Sequence, residues 1–313
     1  MPSGPQNLFL ILATGEFLMG ILGNGFIGLV NCIDWVKSRK ISSVDCILTC
    51  LAITRISYLW IILLYSFAVV LWPHLHDIRK TLRFISFFWT LTNHLATWFA
   101  TCLSVFYFLK IPNFSHPCLI WLKWRINKVL LVLLLGSSFI LFYNLLSIGS
   151  FHGLWNNVTF RDERNLAWSS DVSKILYCNS LISFNITYLI PFLLSLISLL
   201  LLYLSLKRHT KNLQLNSMGS KDLSTEAHKR AMKMVMSFLL LFIVHCLSTH
   251  IVGWIYLTSQ KDEASLFIML IITVFPSGHS FLLIWENRKL RQTALRLLRH
   301  LKGHMKRAKP LSS

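Results

Sequence analysis

Seven long apolar segments divide this chain of 313 residues, and they restrict its fold more than any other feature. A helix needs roughly 20 apolar residues to cross the hydrocarbon core of a bilayer. The composition agrees, because 54% of the residues are hydrophobic and only 14% are charged, a balance that is foreign to soluble domains. The sequence therefore predicts an all-α membrane protein, a seven-transmembrane helix bundle. The predicted spans are 8–33, 45–71, 83–109, 127–149, 180–206, 231–257 and 264–285.

The basic residues are distributed unequally over the connections between these spans. Of the 31 Lys and Arg residues, 23 fall in one set of alternate loops and the tail, and 7 fall in the other set. Cytoplasmic loops are the ones that collect Lys and Arg. We therefore expect an extracellular amino terminus (1–7), a membrane domain (8–285) and a cytoplasmic tail (286–313).

The net charge of +19 has two interpretations. It can orient the chain in the membrane and attract anionic lipid, or it can bind nucleic acid. No aromatic-interleaved basic groove and no nucleic-acid motif accompanies the charge, so we favour the lipid bilayer as the partner and expect no nucleic acid.

The first part of the tail has the pattern of an amphipathic helix. Its apolar residues recur at steps of three and four along 287–304, with Lys and Arg around them. Such a helix is expected to lie on the inner leaflet, and a basic tail without regular structure is the alternative. The apolar positions are Leu290, Ala294, Leu297, Leu298 and Leu301.

The outer loops carry one predicted modification and one isolated cysteine. The sequon at Asn157-Val158-Thr159 lies in the long polar connection 150–179, so Asn157 is the predicted glycosylation site. The sequons at Asn113 and Asn185 fall on the cytoplasmic side and inside a span, where we expect no glycan. Cys178 lies near the outside, and no cysteine stands at the start of the third span to pair with it.

Arg55 is the most costly polar residue in the predicted spans. It lies ten residues into the second span, about 15 Å deep. A buried guanidinium group needs hydrogen-bond partners at the same depth, and Asn24 and Ser280 are suitable by position. We interpret Arg55 as an inter-helix clamp with a structural or switching role. Ion transport is the alternative, but it needs a ladder of acids, and Glu16 is the only candidate acid in the interior of the spans.

The third span contains a polar band next to an aromatic residue. Asn93 and His94 lie one turn from Trp89, with Thr90 and Thr97 nearby. Aromatic surface with a few hydrogen-bonding groups is typical of a small-molecule site. Helix packing through satisfied polar residues is the other interpretation, and spacing alone leaves both open.

The motifs of enzymes and metal sites are missing from the sequence. His245 and His250 are five residues apart, which is the wrong spacing for two ligands on one helix face. No Ser/His/Asp set, Gly-rich phosphate loop or carboxylate pair is present. We therefore expect neither a cofactor nor a metal, and no enzyme. A small seven-helix carrier or channel remains as the alternative to a receptor.

Several motifs together resemble the type 2 (bitter) taste receptors over nearly the whole chain. They occur in the right order in the first, second, third, fifth and seventh spans and in the second inner loop. The sequences are Gly23-Asn24-Gly25-Phe26-Ile27, Leu51-Ala52-Ile53-Thr54-Arg55-Ile56, Ser104-Val105-Phe106-Tyr107-Phe108-Leu109-Lys110, Trp121-Leu122-Lys123-Trp124-Arg125, Ser205-Leu206-Lys207-Arg208-His209-Thr210 and Pro276-Ser277-Gly278-His279-Ser280-Phe281-Leu282-Leu283. The Asp-Arg-Tyr and Asn-Pro-x-x-Tyr motifs of rhodopsin-like receptors are missing, which agrees with this resemblance.

The resemblance implies a G-protein-coupled receptor for bitter small molecules in the plasma membrane, with a gustducin-type G protein as its partner. It implies ligand contacts at Trp89, Asn93, His94, His245 and Met269. Some relatives carry an acid at the position of Met269, so a strict preference for amines is not expected here. The residues that would face the G protein are Tyr107, Lys110, Lys123, Arg125, Lys207 and His209.

Overall fold

The computed structural model describes residues 3–71, 78–110, 117–161, 182, 185–205, 207–208, 211, 236–251 and 263–308, and it leaves the side chains at 78–83, 148, 150–161, 263–269 and 304–308 undescribed. The regular structure in these residues is helical. The helices are α1 Gly4–Ser38, α2 Ser43–Leu71, α3 Ile78–Lys110, α4 Pro117–Trp124, α5 Ile126–Arg161, α6 Asn185–Ser205, α7 Met236–Ile251, α8 Glu263–Glu286 and α9 Arg288–Ala308.

The described helices include parts of all seven predicted spans, and the expected helical membrane fold is confirmed. Among the described residues, length and composition qualify four helical segments as membrane spans: α1, α2, α6 and residues Ile126–Ser147 of α5. The described apolar segments of α7 and α8 are Met236–Ile251 and Leu270–Glu286. Helix α3 has 33 residues, about 50 Å of helix, and the polar band in its middle lowers its hydropathy.

Local capping explains where several helices begin and end. Ser3 caps α1, because its hydroxyl accepts from the Gln6 N–H while the Gln6 side chain accepts from the Ser3 N–H. Arg39 ends α1 in the left-handed conformation, with φ of 52°. Asn287 separates α8 from α9, since its side-chain oxygen accepts from the Lys289 and Leu290 N–H groups.

One predicted boundary was wrong. Helix α5 continues to Arg161, where the sequence predicted a loop from residue 150 onwards. Hydropathy detects only the part of a helix that lies in lipid. Adding a turn to an existing helix avoids the cost of nucleation, so a helix can continue into water beyond its apolar part. Asn157 therefore falls in the last turns of α5, ten residues beyond its apolar part.

Helix α1 packs closely against α2 and α8 through glycine. A Cβ atom added at Gly20 would contact Leu59 of α2 and would lie 2.6 Å from the Ser277 hydroxyl of α8. A Cβ atom at Gly23 would lie 3.1 Å from the Ser280 Cβ atom. The missing side chains let the three helices approach one another at this level.

Helix α9 is joined to the inner ends of α1, α2 and α8. Leu290 is fully buried in the main hydrophobic core. The Lys289 amine lies 2.7 Å from the Asp34 carboxylate and 3.4 Å from the Asp45 carboxylate. Beyond this anchor Leu298 and Leu301 are more than half exposed, which suits a helix that lies on a lipid surface.

Candidate functional site

Asn93 links α3 to α6 in the interior of the bundle. Its amide nitrogen donates a hydrogen bond to the Tyr188 hydroxyl, and both side chains are buried. The Tyr188 ring also contacts the His250 ring of α7 at 5.9 Å between centroids. One polar pair therefore connects three helices.

His94 faces a different interface from Asn93. It is 1% exposed, it packs against Trp98 one turn on, and it contacts the backbone of Ser137 in α5. Adjacent residues on a helix point about 100° apart, and here Asn93 and His94 contact different neighbouring helices. The structure thus separates Asn93 and His94, which the sequence placed together in one pocket wall.

Trp89 lies in a small cluster between α2, α3 and α8. Its neighbours there are the buried Tyr58, Ile62 and Ile272 side chains. Tyr58 is 2% exposed and lies one turn from Arg55. The cluster joins an aromatic surface to one buried hydroxyl group, a combination that suits ligand binding.

His245 belongs to the interface between α7 and α8. Its ring stacks on Phe275, with centroids 4.8 Å apart, and it contacts the Ile272 backbone. Pro276 has no N–H, so it leaves the Ile272 carbonyl without its usual donor inside α8. The Ile272 backbone thus contacts His245 of α7, while the Ile272 side chain belongs to the cluster against which Trp89 of α3 packs.

Arg55 has a partner that the sequence did not indicate. Its Nη2 atom lies 2.6 Å from the Nδ1 atom of His279 in α8, and its guanidinium group lies 5.3 Å from the centre of the Phe275 ring. A guanidinium group can only donate, so Nδ1 of His279 accepts, and the proton of the neutral imidazole is on Nε2. Arg55 is 1% exposed, as the prediction of a buried residue required.

Asn24 and Ser280 bond to each other rather than to Arg55. The Ser280 hydroxyl donates to the Asn24 side-chain oxygen at 2.7 Å, and the Asn24 amide donates to the Pro276 carbonyl at 3.2 Å. Both side chains are fully buried. The prediction that Asn24 and Ser280 bond Arg55 was therefore wrong. They instead link α1 to α8, with the backbone at the proline as a third member. Higher in the same interface the Thr273 hydroxyl donates to the Glu16 carboxylate.

The inner end of the bundle contains a small cavity of about 20 Å³ between α3, α6, α7 and α8. Tyr107 and His279 line it together with Ser104 and Phe238. Lys110 and Lys207 are exposed at this end of the molecule. His209 and Cys178 lie outside the described residues, and so do the side chains of Asn157 and Met269.

The sequence interpretation missed three residues of this arrangement: Tyr58, Tyr188 and His279. Tyr58 could have been found, because it lies one turn from Arg55 on the same helix face. His279 stands next to Ser280 in a motif that was recognised, yet spacing did not show which of the two faces Arg55. No local signal pairs Tyr188 with Asn93, since 95 residues separate them.

No group of three His, Cys, Asp or Glu side chains in the described part of the chain could hold a metal ion. Apolar helices joined by buried polar side chains, with an aromatic cluster between them, define a helical membrane receptor as the class of protein. The family described as Taste receptor protein (TAS2R) matches residues 1–302. The chain therefore belongs to the type 2 taste receptor family, and it is a G-protein-coupled receptor of the bitter class rather than an enzyme.

Individual relatives agree with this assignment. The chain is similar to taste receptor type 2 member 42 of Pongo pygmaeus, with 49% identity over 99% of both chains. The same receptor of Pan troglodytes is 50% identical over 98% of both chains. Taste receptor type 2 member 7 of Macaca mulatta is 48% identical over 94% of this chain and 93% of its own.

Proposed function

We propose that this receptor binds bitter small molecules among α3, α6, α7 and α8 and signals from the plasma membrane through a gustducin-type G protein. The buried bond between Asn93 and Tyr188 is the observation that carries the proposal. This pair places a donor, an acceptor and an aromatic ring inside the bundle. An agonist with polar groups can bind by bridging the pair or by replacing one member of it.

The proposed agonist contacts are Trp89, Asn93, His245 and Met269, and His94 is proposed as a residue that positions α3. Three of them support one site, because Trp89 packs against the cluster that contains Ile272, His245 contacts the Ile272 backbone, and Asn93 bonds Tyr188 of the neighbouring α6. Met269 precedes Thr273 by four residues on α8, and we propose it as a contact from its place in the sequence. His94 is proposed to support the agonist site indirectly, because its contact with Ser137 positions α3 against α5.

We expect agonist binding to favour one packing arrangement of the inner halves of the helices, and Arg55 is proposed to transmit this effect. The stacked rings of His245, Phe275 and His279 connect the proposed agonist site to the Arg55 partner. His279 also lines the inner cavity. A ligand that binds one arrangement of these helices more tightly shifts the population toward it.

The proposed G-protein contact is the inner cavity and its rim. Tyr107 lines the cavity. Lys110 and Lys207 are exposed at the same end of the bundle. His209 is proposed to belong to the same surface by its place in the sequence. Lys123 lies on α4, and Arg125 directly follows the last residue of that helix. We propose that both contact the G protein at the edge of this surface.

Ligand-stimulated nucleotide exchange by the purified receptor and gustducin tests this proposal. We expect a diverse bitter library to contain compounds that accelerate exchange, and we expect Asn93→Ala to reduce the potency of some of them. Receptor in liposomes without G protein serves as the control for a carrier or channel. Ion or solute flux in those liposomes, with no stimulated exchange, would contradict the receptor mechanism.

A further inference from the structure

The short helix α4 has two faces with different surroundings. Leu119 and Leu122 pack against the main hydrophobic core. On the other side, Cys118, Trp121, Trp124 and Arg125 follow one another at steps of one, three or four residues and are all exposed. Trp124 is 86% exposed and Trp121 is 54% exposed. We call these four residues the outer face of α4.

The outer face combines indole rings with a guanidinium group. The Arg125 guanidinium carbon lies 4.9 Å from the centre of the Trp121 ring. Stacking on the Trp121 ring orients the Arg125 guanidinium group. Its N–H groups remain available to bind a phosphate or a carboxylate. Tryptophan prefers the boundary between headgroups and acyl chains, because its ring is apolar and its N–H is polar. The composition of this face therefore matches a lipid headgroup layer.

Other tryptophans lie at the same end of the bundle. Trp35 is 53% exposed near the end of α1, and Trp285 is 63% exposed at the end of α8. Helix α4 immediately precedes α5, so its tryptophans also lie at the inner end of a span. Exposed tryptophans at the ends of three helices indicate the depth of the inner membrane interface.

The position of α4 argues against a role at the inner cavity. Within the described residues α4 packs against α3 and α5, while the inner cavity lies between α3, α6, α7 and α8. No residue of α4 lines that cavity. The outer face of α4 thus lies away from the inner cavity, and Arg125, proposed above as a peripheral G-protein contact, is the one residue that both proposals share.

We propose that the outer face of α4 binds anionic phospholipid headgroups of the inner leaflet. Trp121 and Trp124 lie at the acyl boundary, and Arg125 binds the headgroup phosphate or carboxylate. The inner leaflet is negatively charged, which complements Arg125 and the exposed Lys128 nearby. The inference rests on the membrane orientation proposed above, which places α4 on the cytoplasmic side.

Lipid competition on the intact receptor tests this inference. Full-length receptor is prepared in nanodiscs of phosphatidylcholine with increasing phosphatidylserine, and bound phosphatidylserine is counted by native mass spectrometry. Nanodiscs have no leaflet asymmetry, so the result does not depend on the orientation in cells. We expect Arg125→Gln to weaken phosphatidylserine binding about fivefold, the equivalent of about 1 kcal/mol for one basic group near a charged surface.

Two comparisons make the result specific. Lys37→Gln removes another exposed basic residue at the same end of the molecule and should change phosphatidylserine binding less than twofold. An equal loss in this control would mean diffuse charge attraction and would overturn the proposal. Trp121→Ala with Trp124→Ala should also weaken phosphatidylserine binding, while agonist-stimulated nucleotide exchange in neutral discs persists. Unchanged lipid binding with reduced exchange would assign the face to the G protein instead.

Discussion

At the scale of single residues, two pairs of buried polar side chains join helices of this receptor. Arg55 bonds His279, Asn93 bonds Tyr188, and each pair is inside an apolar bundle. A buried polar group that loses its partner keeps the cost of its desolvation. Substitutions at these positions should therefore have effects well above those at exposed positions.

Arg55→Ala is expected to lower surface expression, or the response to every agonist alike. The substitution leaves His279 without its donor and removes the contact with Phe275. Leaving a buried polar group without its hydrogen-bond partner typically costs about 1–3 kcal/mol. Flow cytometry and agonist dose–response curves measure the effect, with the exposed Lys37→Ala as control. Loss of one agonist alone, at normal expression, would instead make Arg55 a ligand contact.

Asn93→Ala is expected to weaken agonists that carry a matching polar group roughly five- to a hundredfold. The range follows from about 1–3 kcal/mol for an unpaired buried polar group, at about 1.4 kcal/mol per tenfold. Agonists without that group should change little. Tyr188→Phe removes the other half of the pair and should affect the same agonists.

Dose–response curves at matched surface expression decide this point. Trp89→Ala and Met269→Ala complete the series, because they test the aromatic and apolar sides of the proposed site. Unchanged potency of all agonists in all of these variants would place the site elsewhere in the bundle.

At the scale of helices, glycine and proline determine how α1 and α8 fit together. Gly20 and Gly23 allow the close approach, and Pro276 offers its carbonyl to Asn24 and Ser280. The contact is narrow, so it tolerates little added volume. The same interface carries the link between Thr273 and Glu16.

Gly20→Leu is expected to destabilise the receptor, because even a Cβ atom at this position meets Leu59 and Ser277. Overpacking of this kind typically costs about 1–3 kcal/mol. Gly25→Leu on the same helix is the matched control, since a Cβ atom there meets nothing within 4 Å. The thermal midpoint of the purified receptor should fall for Gly20→Leu and stay nearly constant for Gly25→Leu. Equal midpoints would show that α1 can shift away from α8 without loss.

Asn157 is expected to carry the glycan of this receptor. Helix α5 extends ten residues from the end of its apolar part to this sequon, about 15 Å of helix, which keeps Asn157 clear of the lipid. Asn157→Gln should abolish the mass shift that glycosidase treatment produces. A shift that survives the substitution would indicate another acceptor or another orientation.

At the scale of the whole molecule, charge and shape indicate the same orientation. The basic residues concentrate at the end where α9, the inner cavity and the exposed tryptophans lie. We therefore propose that this end faces the cytoplasm. The orientation places the proposed agonist site toward the outside, with Arg55 between that site and the inner cavity.

Epitope tags at the two termini test the orientation directly. An amino-terminal tag should stain on intact cells, and a tag on the tail should stain only after permeabilisation. Staining of the tail on intact cells would reverse the topology and move the proposed agonist site to the wrong side. Total expression by immunoblot controls for variants that remain inside the cell.

The sequence by itself determined the helical membrane class, the family and the amphipathic helix after the last span. These features depend on local properties, namely the length of apolar segments, the spacing of leucines and short motifs. The same local properties predicted that Arg55 and Asn93 would be buried polar residues, and both are at most 3% exposed.

Only the tertiary structure decided which residues meet. Arg55 bonds His279 across 224 residues, and Asn93 bonds Tyr188 across 95, while the expected partners Asn24 and Ser280 bond each other. The continuation of α5 past residue 150 was also decided there. The physical reason is that a contact between helices depends on how each helix is rotated and how closely it packs. Both are set by the fit of all neighbouring side chains rather than by the spacing within one segment.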